Sequence, residues 1–328
     1  MNKSFVFALL VVALLSSLVL NLFTGGTSLP ASIVVESLLH PTTPGVAHTL
    51  VWELRLPRLF MAMVVGAGLA SCGVILQAIL RNPLAEPFTL GVSGGGALGA
   101  TIAIVLGLAG FPMILLCFAG CLVSMVLVLG VASIKDFSNT MLILSGVIIS
   151  FLFSSIVMFI FAVATSRDVH ASVLWMMGSL GAYHHDYITT ALLLIVLLMG
   201  VLIPFARDLN ILTLGDEKTL YLGLDVKKAK ILFFVLASLI TGCCVAVSGI
   251  ISFVGLIIPH IMRKVVGPDH RGLLPASMLA GAILLLLSDT LAQLVIRPLE
   301  LPIGVITGMV GGLFFLGFLL KSRAAEGM

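Results

Sequence analysis

Ten apolar runs constrain this chain more than any other feature: 5–23, 54–80, 90–108, 112–133, 141–164, 188–206, 229–247, 250–262, 273–296 and 302–320. An α-helix needs about 20 apolar residues to cross a bilayer, and most of these runs reach that length. Inside a bilayer every backbone N–H and C=O must be paired within the protein, so only helices and closed barrels can span it. A barrel would show strands of about 10 residues with alternating polarity; these runs are continuous. Charge supports the same reading: only 9% of the residues are charged, against roughly 25% in a soluble domain. A soluble enzyme, a coiled coil and a disordered chain are excluded. The expected fold class is an all-α polytopic membrane protein, one transmembrane domain over 1–328, in contact with membrane lipid. The net charge of +3 is small, and no basic cluster with interleaved aromatics suggests a nucleic-acid partner.

Topology follows from the basic residues. The first run could be a signal peptide, but it is long enough to span and no A-x-A-like site follows it, so it reads as the first helix. The stretch 229–262 could be one long helix or two short ones around Ser248-Gly249. With ten spans and an inside N-terminus, thirteen of the seventeen Lys and Arg fall in the cytoplasm, and only Arg55, Arg58, Arg167 and Arg297 fall outside. Nine spans split the charges about evenly. The positive-inside rule therefore selects ten spans with both termini cytoplasmic, and the run 250–262, with Pro259, must be short or broken. Trp52, Trp175, Tyr183 and Tyr187 then sit at the outer interface, where aromatic belts belong.

Shifting the chain on itself by 176 residues aligns Gly66 with Gly242, Ala70 with Ala246, Gly73 with Gly249 and Ile75 with Ile251, and further on Leu80 with Leu256 and Pro83 with Pro259. The two segments run in opposite directions in the ten-span topology, as in the inverted repeats common in transporters; the repeat is expected over about 52–165 and 228–321. Stripes of small residues, Gly91-Gly95-Gly99 and Gly304-Gly308-Gly312, suit close helix packing. Cys72, Cys117, Cys121, Cys243 and Cys244 all lie in apolar runs and read as packing residues; no metal site or cofactor is expected.

Three interruptions are long. The outer segment 24–51 leads into Trp52-Glu53-Leu54-Arg55-Leu56-Pro57-Arg58, whose two arginines break the charge rule; they could snorkel, or form a cationic patch for an acidic partner or anionic ligand. The outer segment 166–187 has a middle apolar enough for a short interfacial helix, and its His170, His184 and His185 read as solvated loop histidines. The inner segment 207–230 contains Asp216 and Glu217, suited to a helix start, and Gly223, suited to its end. Leu220 and Tyr221 would project from that helix, and a free loop has no need of such a face, so a protein partner is implied. Within the spans, Asp289 is the one deep acidic residue, with Gln77, His260 and Gln293 the other notable polar groups there. A proton-coupled carrier would show several such groups in relay. A P-loop, G-x-x-x-x-G-K-[ST], is missing, so the chain cannot bind ATP that way.

Several blocks taken together resemble the FecCD/BtuC-type permeases of binding-protein-dependent ABC importers. They are Leu54-Arg55-Leu56-Pro57-Arg58, Gln77 with Arg81-Asn82-Pro83-Leu84-Ala85-x-Pro87, Leu90-Gly91-Val92-Ser93-x-Gly95, Trp175-Met176-Met177-Gly178-Ser179-Leu180, Leu214-Gly215 with Leu222-Gly223, Phe253-Val254-Gly255-Leu256-Ile257-Ile258-Pro259-His260, Asp269-His270-Arg271 and Glu300-Leu301-Pro302-Ile303-Gly304. The resemblance extends from about residue 50 to 320. It implies a ten-helix subunit of the type II importer fold, working as a homodimer in a bacterial or archaeal cytoplasmic membrane. Two separate ABC ATPase subunits would dock inside and a substrate-binding protein outside, so the chain itself would not be catalytic. It also implies that coupling helices lie within 209–224 (Leu214, Gly215, Asp216, Glu217, Leu220, Tyr221, Gly223). Arg55, Arg58 and Arg297 would meet acidic residues of the binding protein, and Asn82, Leu84, Asn139 and Thr140 would form the cytoplasmic gate. Ferric siderophore is the first substrate class, then haem and cobalamin. The family often has Arg where Gln293 stands, so an intramembrane ion pair is expected to be lost, leaving Asp289 neutral or paired elsewhere, with His260 a candidate. The rival reading is an ion-coupled secondary carrier without an ATPase.

Overall fold

The computed structural model describes residues 3–181, 185–297 and 299–326; Tyr183 and His184 lie outside them. In chain order the helices are α1 (Lys3–Phe23), α2 (Ala31–Leu39), the single turn α3 (Val46–His48), α4 (Leu56–Leu80), α5 (Val92–Val105), α6 (Phe111–Ser133), α7 (Asn139–Val163), α8 (Ser166–Met176), α9 (His185–Leu202), α10 (Ala206–Leu212), α11 (Asp216–Tyr221), α12 (Val226–Ser248), α13 (Val254–Val266), α14 (His270–Leu294) and α15 (Ile303–Glu326). No strand occurs among the described residues. Seven helices there are long and apolar enough to cross a membrane, and Val92–Val105 and Ile303–Gly317 are shorter apolar ones.

The centre of the bundle is α4. From Met61 to Leu80 nearly every side chain is buried, and α12, α13 and α14 pack around it. This explains its all-round apolar sequence: a helix with no solvent or lipid face needs no polar stripe. Glycine permits the tightest crossings. A side chain on Gly66 would strike the Gly281 carbonyl of α14, and one on Gly73 the backbone of Gly255 in α13. The stripe Gly91-Gly95-Gly99 works the same way, with Gly95 against Gly120 and Gly99 against Leu116 of α6. The second stripe does not repeat this. Gly304 abuts Met177 and Ile250 backbone, while Gly308 and Gly312 face open space.

The ambiguous stretch 229–262 is two helices. Gly249, at φ +67°, ends α12, and Phe253, at φ +70°, starts α13. α13 is thirteen residues long and contains Pro259, the short segment the charge count required. This break also limits the alignment at 176 residues. Gly66 and Gly242 both sit at helix crossings, against α14 and α6. Beyond Gly249 the register is lost: Leu80 ends α4, whereas Leu256 and Pro259 lie inside α13. The physical cause is that α12 stops at the left-handed Gly249, while α4 runs past Gly73 to Leu80 without a break.

Both long segments expected outside, 24–51 and 166–187, hold helix. The first contains α2 and a π-helical turn, Thr49–Arg55, leading into α4. The second contains α8, started by the Thr165 hydroxyl, which accepts from the Asp168 N–H at 3.3 Å.

Candidate functional site

Polar side chains gather at two opposite ends of the bundle. At the end where α4 begins, called outer after the topology expected from the sequence, the chain reads Leu56-Pro57-Arg58, and proline in the first helical turn suits a helix start. Arg58 faces α14 across this turn. Its Nε donates to Asp289 Oδ1 at 2.9 Å, its Nη2 lies 2.9 Å from the same oxygen, and its Nη1 donates to Glu300 Oε2 at 2.6 Å. Asp289 is fully buried and Arg58 is 15% exposed. Asp289 Oδ2 also accepts from Asn21 Nδ2 of α1 at 3.0 Å and from Gln293 Nε2 at 2.6 Å. Every lone pair that burial strips of water is thus directed at a donor, which a buried charge pair requires.

Of the two outcomes expected for Asp289, neutral or paired elsewhere, the geometry shows the second: position 293 supplies no cation, Gln293 donates an amide N–H to the carboxylate, and Arg58 pairs with it from another helix. The expectation is corrected at His260, the candidate partner, which is elsewhere. His260 lies on α13 one turn from Lys264, with the Phe315 ring 6.4 Å away. Spacing along α14 could reveal what stands four residues from Asp289, but not what α4 brings to it, 231 residues distant.

The other outer arginines differ from one another. Arg55, at the end of the π-helical turn, is buried at 9% exposure. It donates to the Leu22 and Thr27 carbonyls at 3.0 and 2.7 Å, holding the chain where α1 ends. Arg297 is exposed. Arg55 and Arg58, with Gln293 and Glu300, line a cavity of about 360 Å³. His170 is exposed on α8.

At the other end, called inner after the same expectation, α4 stops at Arg81, whose left-handed φ of +51° turns the chain into Asn82-Pro83-Leu84. Asn82 Oδ1 accepts from the Leu84 N–H at 3.0 Å, and Leu84 is exposed. Asn139 opens α7 after a Ser138 cap, and its Nδ2 donates to the Leu80 carbonyl at 3.0 Å. Asn139 therefore ties the start of α7, which also carries the exposed Thr140, to the end of α4, which leads into Asn82 and Leu84.

Beside them sits the α10–α11 pair. Gly215, at φ +105°, turns the chain, Asp216 and Glu217 occupy the first turn of α11, and Gly223, at φ +83°, follows its end. Asp216 accepts from Arg81 Nη2 at 3.0 Å and from Lys230 Nζ of α12 at 2.8 Å. On the preceding helix, Asn210 clamps the start of α14: its Nδ2 donates to Asp269 Oδ1 at 2.8 Å and its Oδ1 accepts from the His270 N–H at 2.9 Å. The Asn210 amide, with the Arg271 N–H, holds the Asp269 carboxyl below the usual aspartate range. Leu214, Leu220, Tyr221 and Leu222 project outward, Tyr221 at 84% exposure.

Glu86 was not singled out from the sequence. It is buried in the turn after α4, and its Oε2 accepts from the Phe253 N–H at 3.1 Å, at the start of α13. Burial pushes this carboxyl up to about 7. The signal lay in the gap of the block Leu84-Ala85-x-Pro87, where an acid stands among apolar neighbours. The five cysteines are buried and free, and among the described residues no cluster of three or more His, Cys, Asp or Glu could hold a metal ion.

This geometry agrees with what the chain is similar to. The FecCD transport family profile matches residues 10–321. The hemin transport system permease protein HmuU of Yersinia pestis is 36% identical over 323 residues, covering 96% of each chain. The cobalamin import system permease protein BtuC of Halobacterium salinarum is 38% identical over 314 residues, 93% of this chain and 82% of that one. The Fe(3+) dicitrate transport system permease protein FecD of Escherichia coli is 39% identical over 274 residues, 83% and 85%. Among solved structures, a metal-chelate type ABC transporter in an inward-facing conformation superposes with a TM-score of 0.86 at 32% identity, over 98% of this chain and 100% of that one. A family profile over residues 10–321 and relatives 36–39% identical over most of the chain agree with the helical bundle: the chain is a multi-pass membrane protein and belongs to the FecCD transport family.

Proposed function

We propose that this protein is the permease subunit of an ATP-driven ABC importer that moves a ferric siderophore, or failing that haem or cobalamin, across the cytoplasmic membrane. The observation that carries the reading is the α10–α11 pair: a short inner helix with an exposed apolar tip, tied by ion pairs to the turns that hold Asn82, Leu84, Asn139 and Thr140. A helix built to receive force from another protein needs both an unpartnered contact face and a stiff link to what it moves. Leu214, Gly215, Asp216, Glu217, Leu220, Tyr221 and Gly223 form that receiving element, within 209–224. A separate ATPase, in two copies, supplies the energy, and this chain remains non-catalytic.

Ten spans with both termini cytoplasmic best fit the basic residues. α13, α5 and α15 serve as the short members beside the seven long helices. An inverted repeat over about 52–165 and 228–321 is supported by reciprocal packing: α4 lies against α12, α13 and α14, and α12 lies against α4, α5 and α6. Two copies assemble around the pathway. A cavity of about 380 Å³ beside α7, lined by Ser150, Ser154, Phe88 and Met176, suits a wide and weakly selective wall. Outside, a substrate-binding protein presents acidic residues to the cationic mouth. Arg297 is the exposed contact and Arg55 adds positive potential from behind it, while Arg58 reaches the mouth already paired with Asp289 and Glu300. The pairing of Asp289 with Arg58 weighs against the ion-coupled alternative, because a carboxylate held by an arginine and two amides is poorly placed to carry protons.

Reconstitution with the cognate binding protein and ATPase tests the reading. ATP hydrolysis stimulated by loaded binding protein, with uptake that persists when the ion gradient is collapsed, is the expected result. Uptake that survives ATP depletion and collapses with the gradient would overturn it.

A further inference from the structure

We infer that the Asp216 carboxylate is a positioning group that transmits movement of the α10–α11 pair to both inner turns at once, through Arg81 on one side and Lys230 on the other. The inference rests on the importer reading and deepens it. Each carboxylate oxygen is committed to a different cation: Oδ1 accepts from Arg81 at 3.0 Å and Oδ2 from Lys230 at 2.8 Å. The two cations belong to different helices, so a displaced Asp216 cannot keep one without pulling on the other.

Both cations lead directly to the turns beside the inner gate. Arg81 is itself the left-handed residue that ends α4, immediately before Asn82 and Leu84. Lys230 is 2% exposed, and its Nζ is 3.5 Å from the Phe137 carbonyl, two residues before Asn139. That second turn is left-handed at Asp136 and Phe137, φ +49° and +55°. It is gripped further by Lys227, whose Nζ is 3.3 Å from Asp136 Oδ1 and 5.4 Å from the centre of the Phe137 ring. Among the described residues only four non-glycine positions have positive φ, and three of them are these. Such conformations persist only while their surroundings hold them, so the turns are set to change when their anchors move. Asn139, donating to the Leu80 carbonyl, joins the two turns to each other.

Stability alone does not account for the arrangement. Asp216 is 44% exposed, and exposed ion pairs contribute little to folding. Lys230, by contrast, is buried, and a buried ammonium follows its counter-ion because being left unpaired is costly.

The test uses the full complex with its ATPase and binding protein in proteoliposomes. It reads substrate molecules imported per ATP hydrolysed. It also reads the labelling of Leu84→Cys by a membrane-impermeant maleimide presented from the cytoplasmic side, with and without nucleotide. The native thiols are buried and contribute little background. In assembled complexes, Asp216→Asn is expected to lower import per ATP by about tenfold or more, the scale of a coupling between sites, and to erase the nucleotide dependence of labelling. Asp216→Glu, which keeps both contacts possible, should restore most of both. If Asp216→Asn does not assemble, Arg81→Gln, which cuts only one branch, should still lower the ratio. Unchanged import per ATP and unchanged nucleotide-dependent labelling in a variant would overturn the inference and leave the importer reading intact. Failure of the unaltered complex to couple hydrolysis to import would overturn both.

Discussion

Asp289 and Asp216 are each the hub of a small polar network, at opposite ends of the same bundle, and their surroundings differ in one decisive respect. Asp289 is fully buried and Asp216 is 44% exposed. The outer hub fastens α1, α4 and α14 in a place where a broken contact cannot be replaced by water. At the inner hub water reaches Asp216 and Arg81, while Lys230 stays buried. The outer hub is therefore a rivet, and the inner hub a joint. The same residue type serves as either, depending on whether solvent can reach it when a partner leaves.

Breaking the outer network gives the largest expected effect. Arg58→Ala leaves the Asp289 carboxylate buried without its cation and should cost about 3–5 kcal/mol, the usual penalty for removing one member of a buried pair. Thermal unfolding in detergent would measure it. Pairing that change with Asp289→Asn should return part of the loss, because the two positions are coupled; additive losses would show that the pair is not the source of the cost.

Next come the helix crossings beneath the outer hub. Gly66→Val places a side chain against the Gly281 carbonyl and should destabilise the bundle by about 1–3 kcal/mol through overpacking. Gly308→Val, which meets nothing, is the control within the same assay and should be nearly neutral.

The inner end should respond in partner binding more than in stability. Leu220→Asp with Tyr221→Asp adds charge to an exposed apolar tip. It should weaken capture of the ATPase by about 2 kcal/mol or more, the size of a central interface contact, while the melting temperature barely moves. If the melting temperature fell and capture stayed intact, the contrast between joint and rivet would be reversed.

The remaining test is a pH slope from Glu86. Its carboxyl is raised from 4.5 to about 7 by burial, so the folded protein holds a proton that the unfolded chain has released. Stability therefore falls as pH rises from about 4.5 to about 7 and levels off above. Glu86→Gln should flatten that slope. An unchanged slope would move its origin to another group.

The residues differ in how much of their role was legible beforehand. Gly215, Asp216 and Gly223 announce a short helix because turn and cap chemistry is local, and the structure places α11 between them. Leu220 and Tyr221 were readable as exposed because a charge-poor chain has no other reason to place apolar groups beside Lys218. The partner of Asp289 was not readable. It comes from α4 at a separation of 231 residues, whereas the family resemblance led only to a pair lost at Gln293 and to His260 as a candidate elsewhere. Arg55 and Arg58 looked alike as misplaced positive charge, yet one ties down a loop and the other neutralises a buried acid.

By itself, the sequence determined the class and the approximate spans, because these depend on apolar length, a property of local sequence. Only the tertiary structure decided that α12 stops at Gly249, which residues neutralise Asp289, and that Asp216 is shared between two helices. Those outcomes depend on which distant side chains the packing brings within about 3 Å, the range over which a hydrogen bond or ion pair forms, and no periodicity in a linear sequence encodes that distance.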